Sequence, residues 1–424
     1  MTETTRPLLR RVNADELRRV TCSPVDQETL SSARAITERV RDEGASAVRA
    51  FAEQFGERGP AGPLVLGRAQ MRAAFEALSQ DDCALLERTG DRIRAFAQAQ
   101  RDAIRSVDVP IPGGCAGHTI EPIENAGCYA PAGRYPLPSS VLMTAITARV
   151  AGCQRVVVAS PGANPVALAA AAIAGADEFL AVGGAHAIAS MAYGFDGFPP
   201  CDVIAGPGNK WVTAAKQFVS GVVGIDMLAG PSELLVLADE TADPDMIASD
   251  LIAQAEHDTD AVPMLVTTSR SIADDVEGAL ITRLEHLATR AIALEALENG
   301  FACVVDSLEE ACAAVNTIAP EHLEIMTRDP QTVAGSIRNA GALFIGAASA
   351  EVLGDYGAGP NHTLPTGRTA RFQAGLSVMH FLRLRTWMRI DEPERADPLI
   401  RDASALAGIE GLAGHAASAR ARLA

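Results

Sequence analysis

The amino-acid sequence predicts an α/β protein with two tandem units, each a parallel sheet covered by helices. From about Ala126, short runs rich in β-branched residues alternate with helical stretches, and turns containing Gly or Pro separate them. A second series with the same alternation begins near Leu234. Such sheets bind ligands at the carboxyl ends of their strands, so we expect the site where the glycine-rich turns and polar clusters follow the strands.

The first series contains three predicted strands, each followed by a turn and a helix. The strands cover residues 155–159, 178–182 and 202–205, and the first two helices start at Pro165 and Ala185. The third turn is GPGN at 206–209, just before another helix. Its backbone N–H groups are candidates for binding a phosphate, although a four-residue motif is weakly specific. Neither GxGxxG nor GxxxxGKS/T occurs in the chain.

The second series starts with the strand-like run LLVLA at 234–238. A helix carrying Gln254 and His257 follows, and further strands are predicted at 264–268, 302–305 and 342–345 with helices between them. The short apolar run at 323–326 is also strand-like. Two α/β units in tandem explain this order with the fewest assumptions.

The two ends of the chain differ from these series in composition and in predicted secondary structure. Residues 1 to about 105 predict a short arm and several helices, among them 28–55 and 68–105, with charged faces typical of solvated helices. Residues 361–382 are rich in Gly, Pro and Thr, and a charged, helix-prone tail then continues to Ala424. Because the tail has too little core to fold alone, it must pack on the body or on a partner subunit.

Composition excludes several classes of protein. The 424 residues are 48% hydrophobic and 21% charged, which is typical of a globular chain of two or three domains. The formal charge of −17 argues against nucleic acid or an anionic membrane as a partner. Eight cysteines without a CxxC pair indicate reduced thiols in the cytoplasm. The N-terminus lacks the apolar core of a secretory signal, and the longest apolar run, 166–176, is far shorter than the ~20 residues of a membrane span.

The segment DLIAQAEHDTD at 250–260 carries the first candidate site. Its apolar residues recur at helical spacing, so Gln254 and His257, three residues apart, would share one helix face. One imidazole and one amide oxygen can supply half of a zinc site, although Gln is an uncommon zinc ligand. Taken alone, the segment is more typical of a surface helix that ends in polar residues.

Three further clusters carry groups that can do chemistry. Glu321 and His322 are adjacent at the edge of a predicted strand, where His titrates near neutral pH and a partly buried Glu can approach it. The glycine-rich segment GDYGAGPNH at 354–362 contains Asp355, a hard oxygen ligand or a base, although Asp is also common in surface turns. Glu410 and His415 lie in the tail, where a lone His is ordinarily solvated. These residues alone predict a two-unit α/β enzyme with a candidate metal site.

Six blocks of sequence in order then resemble histidinol dehydrogenase. They are GCYAPAGRYPLPSSVLMTA (127–145), AGPGNKWVTAAK (205–216), IDMLAGPSE (225–233), SDLIAQAEHD (249–258), APEHLEI (319–325) and GDYGAGPNHTLPTGRTARF (354–372). The resemblance covers the chain from about residue 20 to the tail. Six blocks in register are far more specific than any single motif.

The resemblance implies a zinc-dependent enzyme that oxidises L-histidinol twice with NAD, through the aldehyde, to L-histidine. It also implies a homodimer of two incomplete Rossmann-like domains, with a helical N-terminal arm and a C-terminal tail that dimerise. The expected boundaries are an arm at 1–20, a zinc and substrate domain at 21–125 plus 234–375, an NAD-side domain at 126–233 and a dimerisation tail at 376–424.

The same resemblance assigns roles to individual residues. One zinc ion per subunit would be bound by Gln254, His257, Asp355 and His415, with His415 expected to complete the neighbouring subunit's site. Glu321 and His322 would be the catalytic acid–base pair. NAD would be contacted by Tyr129 and Asn209, with His186 also on the cofactor side. The substrate would be bound by Ser232, Gln254, His257, Glu321, His322, Asp355, His362, Glu410 and His415. Two nitrogen and two oxygen ligands suit zinc.

The chain departs from the usual family pattern at a few positions. His186 stands where Gln is usual, and Arg368 stands where Gly is usual. Ala132 replaces a Gly, Leu228 a Pro and Arg383 a Lys. The two extra arginine side chains would suit an anionic substrate, so a paralogous zinc- and NAD-dependent dehydrogenase of another small alcohol, such as a sulfopropanediol, is an alternative. A non-catalytic metal-binding protein of the same fold is a second alternative, from another functional class.

Overall fold

The structure is a computed structural model that describes residues 7–17, 25–59, 62–132 and 136–423. Elements are numbered along the chain. The strands are β1 Arg10–Val12, β2 Val65–Gly67, β3 Val107–Ile111, β4 Gly114–Pro122, β5 Asn125–Tyr129, β6 Arg155–Ala159, β7 Glu178–Leu180, β8 Val203–Ala205, β9 Gly224–Ile225, β10 Glu233–Ala238, β11 Val262–Thr267, β12 Phe301–Val304, β13 His322–Met326, β14 Ala342–Ile345 and β15 Leu382–Ile390.

Helices precede, separate and follow these strands. They are α1 Ala14–Leu17, α2 Gln27–Glu43, α3 Ala45–Gln54, α4 Arg68–Glu76, α5 Gln80–Ala103, α6 Pro138–Ala151, α7 Pro165–Ala174, α8 Gly184–Tyr193, α9 Lys210–Val219, α10 Pro244–Ala255, α11 Arg270–Leu284, α12 Arg290–Asn299, α13 Leu308–Ile318, α14 Pro330–Ala334, α15 Glu351–Asp355, α16 Asp397–Ile409 and α17 Ala413–Arg420. Short 3-10 helices occur at Thr369–Arg371, Val378–Phe381 and Pro393–Ala396.

The strands form two mainly parallel sheets, as the alternating pattern predicts. The first sheet has the order β2-β7-β6-β5-β8-β9 and the second the order β1-β12-β11-β10-β13-β14. In the first, β2 alone pairs antiparallel, with β7. The strand order reverses between β5 and β8 in the first sheet, which is the position where ligands bind in open α/β sheets. The predicted α/β class with two parallel sheets is confirmed.

Helices cover both faces of each sheet, and the cores consist mainly of aliphatic side chains. On the first sheet, α4, α5, α6 and α7 pack on one face and α2, α3, α8 and α9 on the other. On the second sheet, α10, α11 and α12 oppose α1, α13 and α14. Strands buried on both faces read as continuous apolar runs, which is why 155–159 was predicted with its observed bounds. The apolar run at 342–345 was also predicted with its observed bounds, although β14 is an edge strand that exposes Leu343.

The domain boundaries expected from the resemblance stay a prediction, although residues 27–103 pack on the first sheet. Helices α4 and α5 cover one face of this sheet, because Met71 and Ile93 are buried in its core together with Leu66 of β2. The N-terminal arm is also not purely helical, since β1 pairs in parallel with β12 of the second sheet. These pairings join residues more than 100 positions apart, and local periodicity carries no information about them. Residues 1–6 and 18–20 of the expected arm lie outside the described residues.

The C-terminal tail contains a strand that a purely helical expectation misses. β15 pairs antiparallel with β4, and β4 with β3, in a third sheet of order β15-β4-β3. The sequence LRLRTWMRI alternates apolar and basic residues, which is the period of a half-exposed strand. Beyond it, α16 and α17 pack chiefly on each other. In the described part of the chain, no helix is both long and apolar enough to span a membrane.

Candidate active site

The candidate site lies between the two sheets, at the carboxyl ends of the strands of the first sheet and the amino ends of the strands of the second. The seven residues 226–232 connect the carboxyl end of β9 to the amino end of β10. The carboxyl edge of the first sheet and the amino edge of the second therefore open toward the same region. Glu321 and His322 stand at the amino end of β13, so the expectation that this cluster follows the carboxyl ends of strands is wrong for the second sheet. The short linker, rather than the second sheet's own polarity, decides the location.

Hydrogen bonds with residues 232 and 233 hold the Glu321–His322 pair in place. The Glu321 carboxylate accepts hydrogen bonds at Oε2 from Ser232 Oγ (2.9 Å) and from the backbone N–H of Glu233 (2.8 Å). His322 Nδ1–H donates to the carbonyl oxygen of Glu233 at 3.0 Å. Ala319, two residues before Glu321, ends α13 in the left-handed region at φ 50°, a conformation that non-glycine residues adopt at an energetic cost.

The imidazole of His322 presents Nε2 to the site. Its ring is buried, and Nε2 has no hydrogen-bond partner among the described residues, while Asp355 Oδ1 lies 3.8 Å away. On the other side of the ring, Nδ1 is 3.3 Å from Glu351 Oε1 and 3.5 Å from Glu321 Oε2. Burial lowers the pKa of His322, but the neighbouring Glu351, Glu321 and Asp355 carboxylates outweigh it and raise the pKa well above its ordinary value.

Carboxyl groups crowd this region with little compensating positive charge. Burial and then the charge of Glu321 raise the pKa of Glu233 to about 7. Burial, together with Asp355 and other neighbouring carboxylates, raises the pKa of Glu351 to about 8 despite the opposing effect of His322. Both carboxylate oxygens of Glu351 lack hydrogen-bond partners in the described structure. Buried acceptors without a partner are costly, so this arrangement favours a bound cation.

A metal ion fits these residues. Ligand atoms of His322, Glu351 and Asp355 all lie within 4.8 Å of one another. Gln254, in the last turn of α10, is 1% exposed, and neither its amide oxygen nor its amide nitrogen has a partner among the described residues. A buried amide whose oxygen has no partner keeps that oxygen available to a ligand. Gln254 and Asp355 stay predicted ligands, and Glu351 adds a second carboxyl group beside Asp355.

His257 does not share a helix face with Gln254. Helix α10 ends at Ala255, and His257 lies in the following turn with its side chain exposed. The turn remains tied to the helix, because the His257 backbone N–H donates to the Gln254 carbonyl oxygen at 3.3 Å. The helical prediction for His257 is therefore wrong, and its assignment as a ligand stays a prediction.

His362 lies where the site meets helix α6 of the first sheet. Its Nδ1–H donates to the backbone carbonyl of Asp355 at 3.1 Å, and Ser140 Oγ lies 3.3 Å from its Nε2. Burial lowers the pKa of His362 below its ordinary value despite the nearby Asp355 carboxylate. A neutral ring that donates from Nδ1 accepts at Nε2, so Ser140 is the donor in the second contact. Asn361 beside it donates to the Met143 carbonyl on α6 and thereby anchors the segment.

Glu410 and His415 lie apart from this cluster within one chain. Glu410 follows α16 and His415 lies on α17, and both side chains are exposed. Within the described ranges, no hydrogen bond or ion pair joins either side chain to Glu321, His322 or Asp355. The structure thus brings together Ser232, Glu321, His322, Asp355 and His362 but leaves the two tail residues outside.

The residues predicted to contact a dinucleotide follow strands of the first sheet. Tyr129 ends β5, and its hydroxyl oxygen accepts the Gly184 N–H at 3.1 Å. Asn209 caps α9 through Oδ1, which accepts the N–H groups of Trp211 (3.1 Å) and Val212 (3.3 Å). A dinucleotide fits this region because both residues flank the point where the strand order reverses.

Two details on this side differ from the sequence expectation. The Gly206 N–H does not face a phosphate but donates to Asp226 Oδ2 at 2.7 Å. Gly206 itself has φ 128°, and a Cβ there would lie 2.0 Å from the Tyr129 carbonyl oxygen, so only glycine fits. His186 is 1% exposed and donates Nε2–H to Glu57 Oε2 at 2.9 Å, so its ring faces a protein carboxylate.

Sequence reasoning missed four acidic residues that shape the site. Glu233 begins the apolar strand β10 and Glu324 lies inside β13, and a buried carboxyl group at such a position is itself a signal. Glu324 accepts the Glu351 backbone N–H at 2.6 Å and is hydrogen-bonded to Asp250. Glu351 precedes Asp355 by four residues on α15, a spacing that places the two carboxyl groups on one helix face, where two negative charges would repel each other.

Comparison with known proteins matches this geometry to one family. The family model for histidinol dehydrogenase matches residues 22–423. The chain belongs to the histidinol dehydrogenase family. The histidinol dehydrogenase of Parasynechococcus marenigrum is 43% identical over 397 residues, which cover 92% of this chain and 90% of that protein. That of Cereibacter sphaeroides is 46% identical over 366 residues, covering 85% and 84%.

A solved structure agrees over the whole chain. The crystal structure of histidinol dehydrogenase from Elizabethkingia anophelis superposes with a TM-score of 0.92 at 30% sequence identity, covering 99% of both chains. Family membership confirms an oxidoreductase of the last step of histidine biosynthesis and implies NAD and zinc as cofactors. A relative from Mesorhizobium japonicum, 40% identical over 399 residues, carries the name histidinol dehydrogenase homolog 1.

Proposed function

We propose that this chain oxidises L-histidinol to L-histidine in two successive hydride transfers to NAD, with L-histidinal between them. The observation that carries the proposal is the buried, unpartnered Nε2 of His322, which lies beside Asp355 and the fixed carboxylate of Glu321. A base at this atom can take the alcohol proton as hydride leaves the adjacent carbon. The Glu321 carboxylate supplies a second base for the second oxidation.

His322 acts first. Because Nδ1–H is committed to the Glu233 carbonyl, the neutral ring holds its lone pair at Nε2, toward the site. The carboxylates that raise its pKa would hold a proton on the ring, and a cation bound among them would offset their charge and release the base. His322 Nε2 then receives the hydroxyl proton of the substrate, and the C–H electron pair leaves as hydride.

Glu321 acts second. Its carboxylate is held by Ser232 and by the Glu233 N–H, so its orientation is fixed before substrate binds. It removes a proton from the water that adds to the aldehyde, and the resulting hydrate loses a second hydride and a proton to give the carboxylate product. The adjacent Glu233 carboxyl group accepts a hydrogen bond from the Glu321 backbone N–H. Because its pKa is raised, it can take up the released proton.

Zinc would be held by Gln254, His257, Asp355 and His415 of the partner subunit. A bound ion would supply a Lewis acid that orients the substrate nitrogens and offsets negative charge developing on the oxygen. Support comes from the unpartnered Gln254 amide and from the uncompensated carboxylates around Asp355. Glu351 would stand behind the ligands and hold the His322 ring, since its Oε1 is 3.3 Å from Nδ1.

We propose a homodimer in which the tails exchange. The tail exposes large apolar side chains, including Leu406, Ile409 (83% exposed) and Leu412, and β15 exposes Leu384 and Met388. Apolar groups of this size on one projecting element are typical of a protein interface. Exchange would also explain why Glu410 and His415 lie outside the site of their own chain. We place the enzyme in the cytoplasm, in keeping with the free cysteines among the described residues.

Subunit mixing tests the exchange directly. His322→Asn and His415→Ala are each expected to inactivate the enzyme, but exchanged 1:1 they would regain about one quarter of wild-type activity. Half of randomly exchanged dimers are mixed, and each mixed dimer would contain one complete site. If each tail serves its own chain, the mixture stays inactive.

Product counting tests the reaction. The zinc-loaded protein should form two NADH per L-histidinol consumed, a yield that chelation abolishes and zinc restores. One NADH per substrate would contradict the second oxidation, and no NADH from a protein that binds zinc and NAD would contradict the substrate.

A paralogous dehydrogenase of an anionic alcohol is the second candidate. Arg368 occupies a left-handed position at φ 67°, where the family usually has Gly, and follows Gly367, whose N–H donates to Glu233 at 3.0 Å. An arginine at this position would suit a substrate with a sulfonate. Turnover of a sulfopropanediol exceeding that of L-histidinol would establish this candidate.

A further inference from the structure

The first sheet contains the strand order of a dinucleotide-binding unit but lacks its usual acidic residue. In chain order, β5, β6, β7, β8 and β9 take the sheet order 3-2-1-4-5. In such folds an Asp or Glu beyond the second strand accepts hydrogen bonds from the cofactor ribose, and the 2′-phosphate of NADP requires an Arg instead. Here the second strand, β6, is followed by Ser160, Pro161 and Gly162, none of which is acidic.

Glu57 brings a carboxylate to this position from outside the sheet. It lies in the turn after α3, and its Oε1 accepts the Gly183 N–H, just beyond β7, at 3.1 Å. A Cβ on Gly183 would lie 2.3 Å from Pro161 Cγ and 3.0 Å from Glu57 Oε1. The ends of β6 and β7 and the Glu57 turn therefore meet at a glycine that leaves no room for a side chain.

His186 holds this carboxylate in place. Its Nε2–H donates to Glu57 Oε2 at 2.9 Å, and the rings of Phe51 and Phe55 lie 5.8 and 5.6 Å from the imidazole centroid. The two polar side chains are nearly closed off, at 12% exposed for Glu57 and 2% for His186. A carboxylate has about four lone-pair sites, and these two contacts use only part of that capacity. Arg58, the next residue, donates instead to the Pro63 carbonyl.

We infer that Glu57, positioned by His186, accepts the ribose hydroxyls of the dinucleotide and excludes a 2′-phosphate. The inference rests on the proposed function, because it concerns the NAD of that reaction. It also gives a physical meaning to the departure at residue 186, where the family usually has Gln. The imidazole acts through Glu57 rather than as a direct contact of its own, and the pair sets the preference for NAD over NADP.

Binding measurements on the zinc-loaded protein test the inference without requiring turnover. Calorimetric titration with NAD and with NADP gives the ratio of the two dissociation constants for wild type and for Glu57→Gln. A hydrogen bond to a charged group corresponds to about a 10- to 100-fold change in affinity. We expect Glu57→Gln to weaken NAD about 10-fold and to strengthen NADP relative to NAD.

Two further variants complete the test. Glu53→Gln changes the same residue type one helical turn earlier, at an exposed position, and should leave the ratio unchanged. His186→Leu, which removes the donor that positions the Glu57 carboxylate, should shift the ratio in the same direction as Glu57→Gln and provides the test if that variant does not fold. An unchanged ratio in both folded variants overturns the inference. NAD binding without histidinol oxidation would overturn the proposed function alone, because the binding ratio needs no substrate; a wild type that binds neither dinucleotide overturns both.

Discussion

Replacement of His322 by Asn separates two roles that the geometry allows for this residue. As the proton acceptor, His322 contributes the lone pair at Nε2; as a metal ligand, it would belong to the group with Glu351 and Asp355. The Asn side chain keeps an N–H donor near the position of Nδ1, so the hydrogen bond to the Glu233 carbonyl can persist. What it removes is the basic nitrogen that faces the site.

The expected loss follows from that single difference. A positioned general base contributes about 10²–10⁴ in rate, so kcat should fall by that factor, or about 3–5 kcal/mol of transition-state stabilisation. Zinc content and NAD affinity should stay at the wild-type level, because the ligands and the first sheet are unchanged. The decrease should appear in kcat rather than in KM, since the proton moves only in the transition state.

The assay combines steady-state NADH formation with metal analysis of the same preparations. His286→Asn, an exposed histidine after α11, is the matched control and should behave as wild type. A His322→Asn enzyme that keeps more than about a tenth of kcat would refute the role as base. A variant that loses zinc together with activity would instead identify His322 as a ligand.

Three other predictions follow from buried charges. Lys216 and Asp226 form a buried ion pair, and Lys216 also donates to the Gly206 carbonyl at 3.0 Å. Lys216→Met should destabilise the protein by about 3–5 kcal/mol in urea unfolding, because Asp226 keeps a buried charge without a partner; a change below about 1 kcal/mol would contradict this. Burial and then Asp250 raise the pKa of Glu324 from 4.5 to about 9. The protonated group is therefore favoured by folding, and stability present below pH 4.5 should decline as the pH rises through 9. In the metal-free enzyme, Glu324→Gln should flatten this decline in thermal melts, and an unaltered pH profile would refute the assignment. Zinc should raise the melting temperature of the metal-free protein, and Asp355→Asn should abolish the increase; an undiminished increase would exclude Asp355 as a ligand.

The local sequence pattern predicted most strands of the two parallel sheets, because a strand buried on both faces is a continuous apolar run. Runs such as RVVVA at 155–159 are apolar on both faces, and turns with Gly or Pro bound them on the chain. β15 was missed although its alternation was visible, because the charged tail was interpreted as helix. β2 has only three residues, too few for a recognisable pattern. It is a strand because it pairs with β7, more than 100 positions later in the chain.

Some features of the candidate site were likewise visible in the sequence, and others depend on the folded structure. The adjacency of Glu321 and His322 and the spacing of Asp355 from His362 were visible in the sequence. The orientation of Nε2 was not, because it depends on a hydrogen bond to Glu233, 89 positions earlier. Likewise, nothing near Glu57 in the sequence links it to His186, since the two meet only when α3 packs against α8.

The sequence by itself determined the α/β class, the two series of strands and the family to which six blocks in register point. These are properties of residue order, since periodicity and motif identity depend on neighbours within a few tens of residues. The tertiary structure decided which helices cover which sheet, that the site lies at the amino end of β13, and that Gln254, Glu351 and His322 hold buried polar atoms without partners. The physical reason is that burial, pKa and hydrogen-bond direction arise from contacts between distant segments, and those contacts exist only after the chain has packed.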